Sequence, residues 1–297
     1  MSSQSRLRRL FSPKSVAVIG GGVWCRSVIE QLFKIGYKGK IFPVHPSKKE
    51  ILGLKYFKDL EEVPTEIDAS FVGVNRNITI EVIKKLNDLN AGGAVCFASG
   101  FLEAEDDKQG SGKLQKSLIE AAGDMPILGP NCYGFINYLD RSVLWPDQHG
   151  GKAVDRGVAI LTQSSNLAIN ITMQTRGLPI SYIMSVGNQA SIGFSEIGMY
   201  LLSDPRVTAL GLHIEGIGDV RAFEELATKA RKLGKSIVVL KVGKSAEARK
   251  AAQSHTASLA GNAQGAKSLF KRLGIAEVDR LEVLVETLKI FHLNGPL

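Results

Sequence analysis

Short runs of β-branched and aliphatic residues alternate with amphipathic stretches along the whole of this chain. Apolar runs of this kind mark strands buried on both faces, as in parallel sheets, and the segments between them carry the period of crossover helices. In the first half the pattern predicts strands at Ser15–Ile19, Lys40–Val44, Asp68–Val74 and Gly93–Phe97, with a short one at Pro126–Leu128. Helices are predicted over Cys25–Ile35, Ile78–Leu89 and Leu114–Ala122. Between Val143 and Gly157 the period lapses and Pro, Gly and charge collect, so a domain boundary is expected there. The pattern then restarts, with strands at Gly157–Thr162, Ser181–Ser185, Val207–Ile214 and Ser236–Lys241. Helices are predicted over Leu167–Arg176, Phe194–Ser203, Val220–Leu233, Leu259–Leu273 and Leu281–His292. The expected architecture is two doubly wound α/β domains in series, residues 1–147 and 148–297.

Composition narrows the partners. A chain of 297 residues with 44% hydrophobic and 22% charged positions can bury two cores and gives no case for disorder. Its 37 basic against 29 acidic residues leave a net charge of +8, which favours a polyanionic ligand. No aromatic-and-basic alternation or zinc spacing points to nucleic acid, so a phosphorylated small molecule is the expected partner. Cys25, Cys96 and Cys132 lie far apart, with no CxxC pair. That fits a reducing compartment, with neither a disulfide framework nor a metal site. No run approaches the roughly 18 apolar residues of a spanning helix, so a cytoplasmic chain without a membrane partner is expected.

Candidate chemistry gathers at predicted strand ends. Strand Ser15–Ile19 runs into Gly20, Gly21 and Gly22 and then a helix, an arrangement that brings backbone N–H groups up to a phosphate. The triplet does not match GxGxxG, and a tight turn without a ligand is the plainer alternative. The second strand ends Phe42-Pro43-Val44-His45-Pro46-Ser47-Lys48-Lys49, with no carboxylate where a dinucleotide site would bind ribose hydroxyls. A basic strand end suits a phosphorylated ribose, which NADP and CoA both carry. Gly243-Lys244-Ser245 imitates a P-loop, but Val238 stands where Walker A needs its first glycine.

Strand Gly157–Thr162 ends in Gln163-Ser164-Ser165 ahead of a helix. Such a turn either serves as an N-cap alone or leaves amides facing an anion. His255 lies among small residues in Ala251–Gly261, AAQSHTASLAG. Neutral imidazole is well suited to accept and release a phosphoryl group if its other nitrogen is held by an acceptor. Glu215, in GLHIEGIGD, closes a strand at the edge where α/β folds bind ligands; it either holds that ring or is a solvated acid.

SVAVIGG, FPVHP, LGPNCYGFIN, QSS, SVGNQ, IEGIGD and SHTASLAG follow one another in an order that is itself informative. Over nearly its whole length the chain resembles the acyl-CoA synthetases that form ADP, relatives of the succinyl-CoA synthetase α subunit. The resemblance implies an N-terminal Rossmann-like CoA-binding domain followed by a flavodoxin-like domain carrying a phosphorylated histidine. It places coenzyme A against Gly20, Gly21, Gly22, His45, Lys48, Asn75, Phe97 and Ser99, with Asn131 near the pantetheine end. His255 would be the phosphocarrier and Glu215 its partner, with the amides of Gln163, Ser164 and Ser165 holding the phosphate. The family usually has Asn at His45, Pro at Asn75, and Gly at Ser165 and Ala257, so acyl specificity and phosphate geometry are expected to differ here.

The implied reaction interconverts acyl-CoA, phosphate and ADP with a carboxylic acid, CoA and ATP. The nucleotide and its Mg²⁺ would sit on an ATP-grasp β-type subunit or domain, making a hetero-oligomer or a fused chain. Two alternatives stand beside this: a non-catalytic CoA-binding regulatory protein of the same family, and an NADP-dependent reductase.

Overall fold

The computed structural model describes residues 3–104, 108–243 and 263–296. A short amphipathic helix, α1 (Ser3–Phe11), comes first, followed by β1 (Ser15–Ile19), α2 (Val23–Ile35) and β2 (Lys40–Val44). A small hairpin, β3 (Glu50–Ile51) and β4 (Leu54–Lys55), leads to β5 (Ala69–Val72), α3 (Arg76–Asp88), β6 (Ala94–Cys96), α4 (Lys108–Ala122) and β7 (Ile127–Leu128). The strands form a parallel sheet of order β2-β1-β5-β6-β7. Every residue of β1 is buried, as expected of a strand covered on both faces. β2 lies at the edge, where Pro43, lacking an N–H, is tolerated.

The second sheet holds β8 (Gly134–Asn137), β9 (Ser142–Leu144), β10 (Gly157–Thr162), β11 (Ile180–Ser185), β12 (Val207–Ile214), β13 (Ser236–Lys241) and β14 (Ala276–Val278). Its order is β14-β13-β12-β10-β11-β8-β9, parallel except for the β8–β9 hairpin, which runs antiparallel along one edge. Helices α5 (Ser165–Thr172), α6 (Phe194–Leu202), α7 (Val220–Lys232), α8 (Ala263–Leu273) and α9 (Leu281–Asn294) cover it. Among the described residues no helix is long and apolar enough to cross a membrane.

The sheet changes earlier than the expected boundary. Gly134–Asn137 pairs with β11 and Ser142–Leu144 with β8, so the chain has entered the second sheet well before residue 147. The lapse in period at 143–157 lies between this hairpin and β10. The two units also share packing. Val16, Val18, Phe71 and Val95 on one face of the first sheet belong to the same buried cluster as the second sheet's core, with Leu7, Leu10 and Phe11 of α1 between them. Polar contacts tie the seam: Asn137 Nδ2 donates to the Phe11 carbonyl at 2.9 Å, and Ser12 Oγ donates to Asp140 Oδ2 at 2.8 Å.

Candidate functional site

Both sheets have one topological feature in common. In the first, the strand that follows β1 in the chain lies on one side of it and β5 on the other; in the second, β11 and β12 flank β10 in the same way. The crevice outside the carboxyl ends of such strands is where open α/β sheets bind ligands. Gly20–Gly22 and Asn75 stand at the first crevice, Gln163–Ser165 and Glu215 at the second.

At the first crevice Gly20 has φ +128° and lies so close to β5 that a Cβ there would sit 2.7 Å from the Gly73 carbonyl oxygen. Only glycine fits this crossing. Next to it, His45 and Lys48 fold over Gly21. The His45 Nδ1 accepts from the amides of Ser47 and Lys48, each at 3.2 Å, so a neutral ring carries its proton on Nε2. That nitrogen faces Gly21, within 2.7 Å of where a Cβ would be. Lys48 Nζ donates to the Gly21 carbonyl. Gly22, the N-cap of α2, has nothing within 4 Å of a Cβ, so the mouth of the turn is open. A basic, N–H-lined, unobstructed helix start fits a phosphate-bearing ligand.

Asn75 sits at the N-terminus of α3, just beyond β5. Its Oδ1 accepts from the amides of Asn77 and Ile78, both at 3.1 Å, and caps α3. Phe97 is half-buried and Ser99 exposed just beyond β6. Asn131 has φ +59°, and its N–H donates to the Ala98 carbonyl at 2.9 Å, which holds the 129–134 loop against that strand end.

The second crevice is a buried network. Strand register sets Thr162 beside His213 and Ile214 beside Lys241. Thr162 Oγ1 meets His213 Nδ1 at 3.0 Å and accepts from the Ser164 amide at 3.0 Å. Burial pushes the His213 imidazole down to about 4, so the ring is neutral at neutral pH. The Ser164 amide thus donates to the Thr162 hydroxyl. Ser164 Oγ accepts from the Leu167 amide and caps α5. The first-turn amides at Ser165 and Asn166 are among those a helix leaves without intrahelical carbonyls.

Gln163 and Glu215 meet across the crevice: the Glu215 N–H donates to Gln163 Oε1 at 2.7 Å. Lys241, only 3% exposed, donates from Nζ to the carbonyl oxygens of Glu215 and Val242, the latter at 2.8 Å. A buried ammonium thus stands at the end of β13, beneath the strand end that carries Glu215. Ser165 Oγ lies 2.7 Å from Ser185 Oγ and accepts from the Tyr133 amide at 3.2 Å. Where the family usually has Gly, this hydroxyl links the second crevice to the loop that leaves the first sheet. His255 falls in 244–262, outside the described residues, as does the expected helix start at Leu259.

Thr162, His213, Lys241 and Tyr133 were not expected from sequence. One signal was available for Lys241: a lone lysine closing the apolar strand SIVVLK. The three cysteines are buried and free, with Cys25 pushed up to about 11 and Cys96 to about 12 by burial, so they are inert packing groups.

Residues 14–138 match the model of a CoA binding domain, and residues 155–291 that of a succinyl-CoA ligase-like flavodoxin domain. The α subunit of an ADP-forming acetate–CoA ligase from Pyrococcus furiosus is 31% identical over 291 residues, covering 95% of this chain and 62% of that one. A trans-feruloyl-CoA synthase from an unknown prokaryotic organism is 32% identical over 297 residues, 97% of this chain and 42% of that one. The chain therefore spans only part of the length of these relatives. The solved structure of a dinucleotide-forming acetyl-coenzyme A synthetase from Ca. Korarchaeum cryptofilum, in complex with phosphate and ADP, superimposes with a TM-score of 0.86 at 29% identity, over 97% of this chain and 63% of that one. Two domains in this order, with paired crevices and these sequence motifs, have one explanation: the chain belongs to the ADP-forming acyl-CoA synthetase family, as a counterpart of its α-type half.

Proposed function

We propose that this chain is the CoA-binding and phosphohistidine-carrying part of an ADP-forming acyl-CoA synthetase. The observation that carries the reading is the pairing of two crevices through Tyr133 and Ser165. An open, basic turn suits the phosphates of CoA, and a buried, cation-backed turn suits inorganic phosphate. Gly20–Gly22, His45, Lys48, Phe97 and Ser99 line the CoA side, and Asn131 holds the loop at its pantetheine end. Asn75 contributes by setting the start of α3.

In the thermodynamic direction that makes ATP, a phosphate oxygen attacks the acyl carbon of the thioester. The C–S bond breaks, the thiolate of CoA leaves and is protonated, and an acyl phosphate forms. A ring nitrogen of His255 then attacks phosphorus, the P–O bond to the acyl group breaks, and the carboxylate leaves. ADP takes the phosphoryl group from the ring. The chain's own contribution is positional and electrostatic: fixed amides and the Lys241 ammonium face an anion whose charge is redistributed in each transfer. Glu215 holds His255 in the tautomer that leaves the attacking nitrogen free. Nucleotide and Mg²⁺ belong to an ATP-grasp subunit or domain, and the acid is a small carboxylic acid.

The test is phosphate transfer from radiolabelled ATP, with the cognate nucleotide-binding half present, or from acetyl phosphate. The expected result is an acid-labile, base-stable label on the chain that disappears in His255→Ala. CoA binding without any label on the unaltered chain would replace this reading with that of a regulatory CoA-binding protein.

A further inference from the structure

Three aromatic rings from separate segments meet at the seam between the two crevices. Trp24 is in the first turn of α2, Phe97 follows β6, and Tyr133 immediately precedes β8. Their ring centroids lie 5.5 Å apart for Trp24–Phe97, 5.7 Å for Phe97–Tyr133 and 6.2 Å for Trp24–Tyr133. Phe71 backs Phe97 at 5.6 Å and the fully buried Trp145 backs Tyr133 at 5.4 Å, so the wall is rigid from behind. In front, Trp24 is 41% exposed.

The position of this wall decides what it is for. Trp24 stands two residues past Gly22, at the turn assigned to CoA. Tyr133 donates its amide to Ser165 Oγ, at the turn assigned to phosphate. The thioester carbon has to lie between those turns for phosphate to reach it, and the acyl group hangs from that carbon. We propose that Trp24, Phe97 and Tyr133 form the acyl-binding wall and that the acyl group is a flat aromatic one, from an aryl or arylalkenyl carboxylic acid. This rests on the function proposed above and names its substrate class.

The geometry separates this class from cationic acyl groups. The three rings pack against one another with their planes tilted by 41–46°, so they leave no cage between them for a cationic group, and the exposed Trp24 indole offers its surface to a flat ring.

Calorimetric titration of the chain with CoA, acetyl-CoA and benzoyl-CoA tests the proposal without the nucleotide-binding half. Benzoyl-CoA is expected to bind about fivefold to tenfold tighter than acetyl-CoA, the gain typical of one added aromatic stack. In Trp24→Ala the ratio of the two affinities should fall to near one, and Trp24→Phe should retain most of it. Equal affinities for the two thioesters in the unaltered chain, with CoA bound, overturn the aromatic wall and leave the function standing. A preference that persists in Trp24→Ala overturns the wall as well. Failure of every CoA species to bind overturns both.

Discussion

The two crevices are built on one topology and by opposite means. The first is made of backbone and exposed side chains: an open Gly22, a glycine crossing at Gly20, and His45 and Lys48 laid over Gly21 from outside. The second is made of buried side chains locked to one another, Thr162 to His213, Gln163 to Glu215, and Lys241 to the strand end beneath. The difference fits the two ligands proposed for them. A large, flexible ligand that enters and leaves gains from an unobstructed surface. A small anion whose charge shifts during reaction gains from dipoles already in place.

The sharpest way to break that contrast is to remove the buried cation. Lys241→Met keeps the length of the side chain and leaves the carbonyls of Glu215 and Val242 without their donor. At about 1–3 kcal/mol for each buried polar group left unsatisfied, urea denaturation should show a loss of about 2–5 kcal/mol. The equivalent change in the first crevice, Lys48→Met, removes an exposed group and should move the midpoint little. Equal losses at the two positions would mean that the crevices are not built differently.

Titration gives a second contrast. His213 in the second crevice is held neutral by burial, with its folded value near 4 against an ordinary value of 6.5. The unfolded chain binds the extra proton first, so the stability that His213 contributes is complete above about pH 6.5 and is lost as pH falls towards 4. By linkage the loss is about 3 kcal/mol for this residue. His213→Gln should flatten the stability profile between pH 6.5 and 4, measured by denaturation at a series of pH values. His149 is also pushed down to about 4 by burial, so a residual slope is expected in the variant. An unchanged slope would place the neutral ring elsewhere.

Strands β1, β2, β10, β12 and β13 were legible to the residue because each is a short, predominantly apolar run set off from the amphipathic segments around it. The β8–β9 hairpin was not. Its strands are short, and Gly134–Asn137 follows Gly129-Pro130-Asn131, which reads locally as a loop. Pairing with β11 makes it a strand, and pairing is a tertiary fact. The same limit explains the site. Gln163, Ser164, Ser165 and Glu215 were visible because they end strands. Thr162 and His213 sit fifty-one positions apart, and only the β10–β12 register makes them neighbours. Trp24 and Tyr133 looked like ordinary aromatics until the fold brought their rings to one seam.

Within the first crevice, adjacent glycines give the finest comparison. A Cβ on Gly21 would lie 2.6 Å from His45 Cδ2 and 2.7 Å from both His45 Nε2 and Lys48 Cε. Both side chains can swing away into solvent, so Gly21→Ala should fold with little loss of stability and displace the basic groups that cover the turn. CoA affinity should fall about tenfold, close to 1.4 kcal/mol. Gly22→Ala meets nothing within 4 Å, and at φ −80° an alanine is unstrained. Its cost is about 0.5–1 kcal/mol of stability, because Ala is a poorer N-cap than Gly. Calorimetric titration of CoA into the two variants reads the pair directly. Weakening by Gly21→Ala alone assigns affinity to His45 and Lys48 over the turn. Equal weakening by both would assign it to the backbone amides at the helix start, and the first crevice would then bind its anion by fixed dipoles, as is proposed for the second.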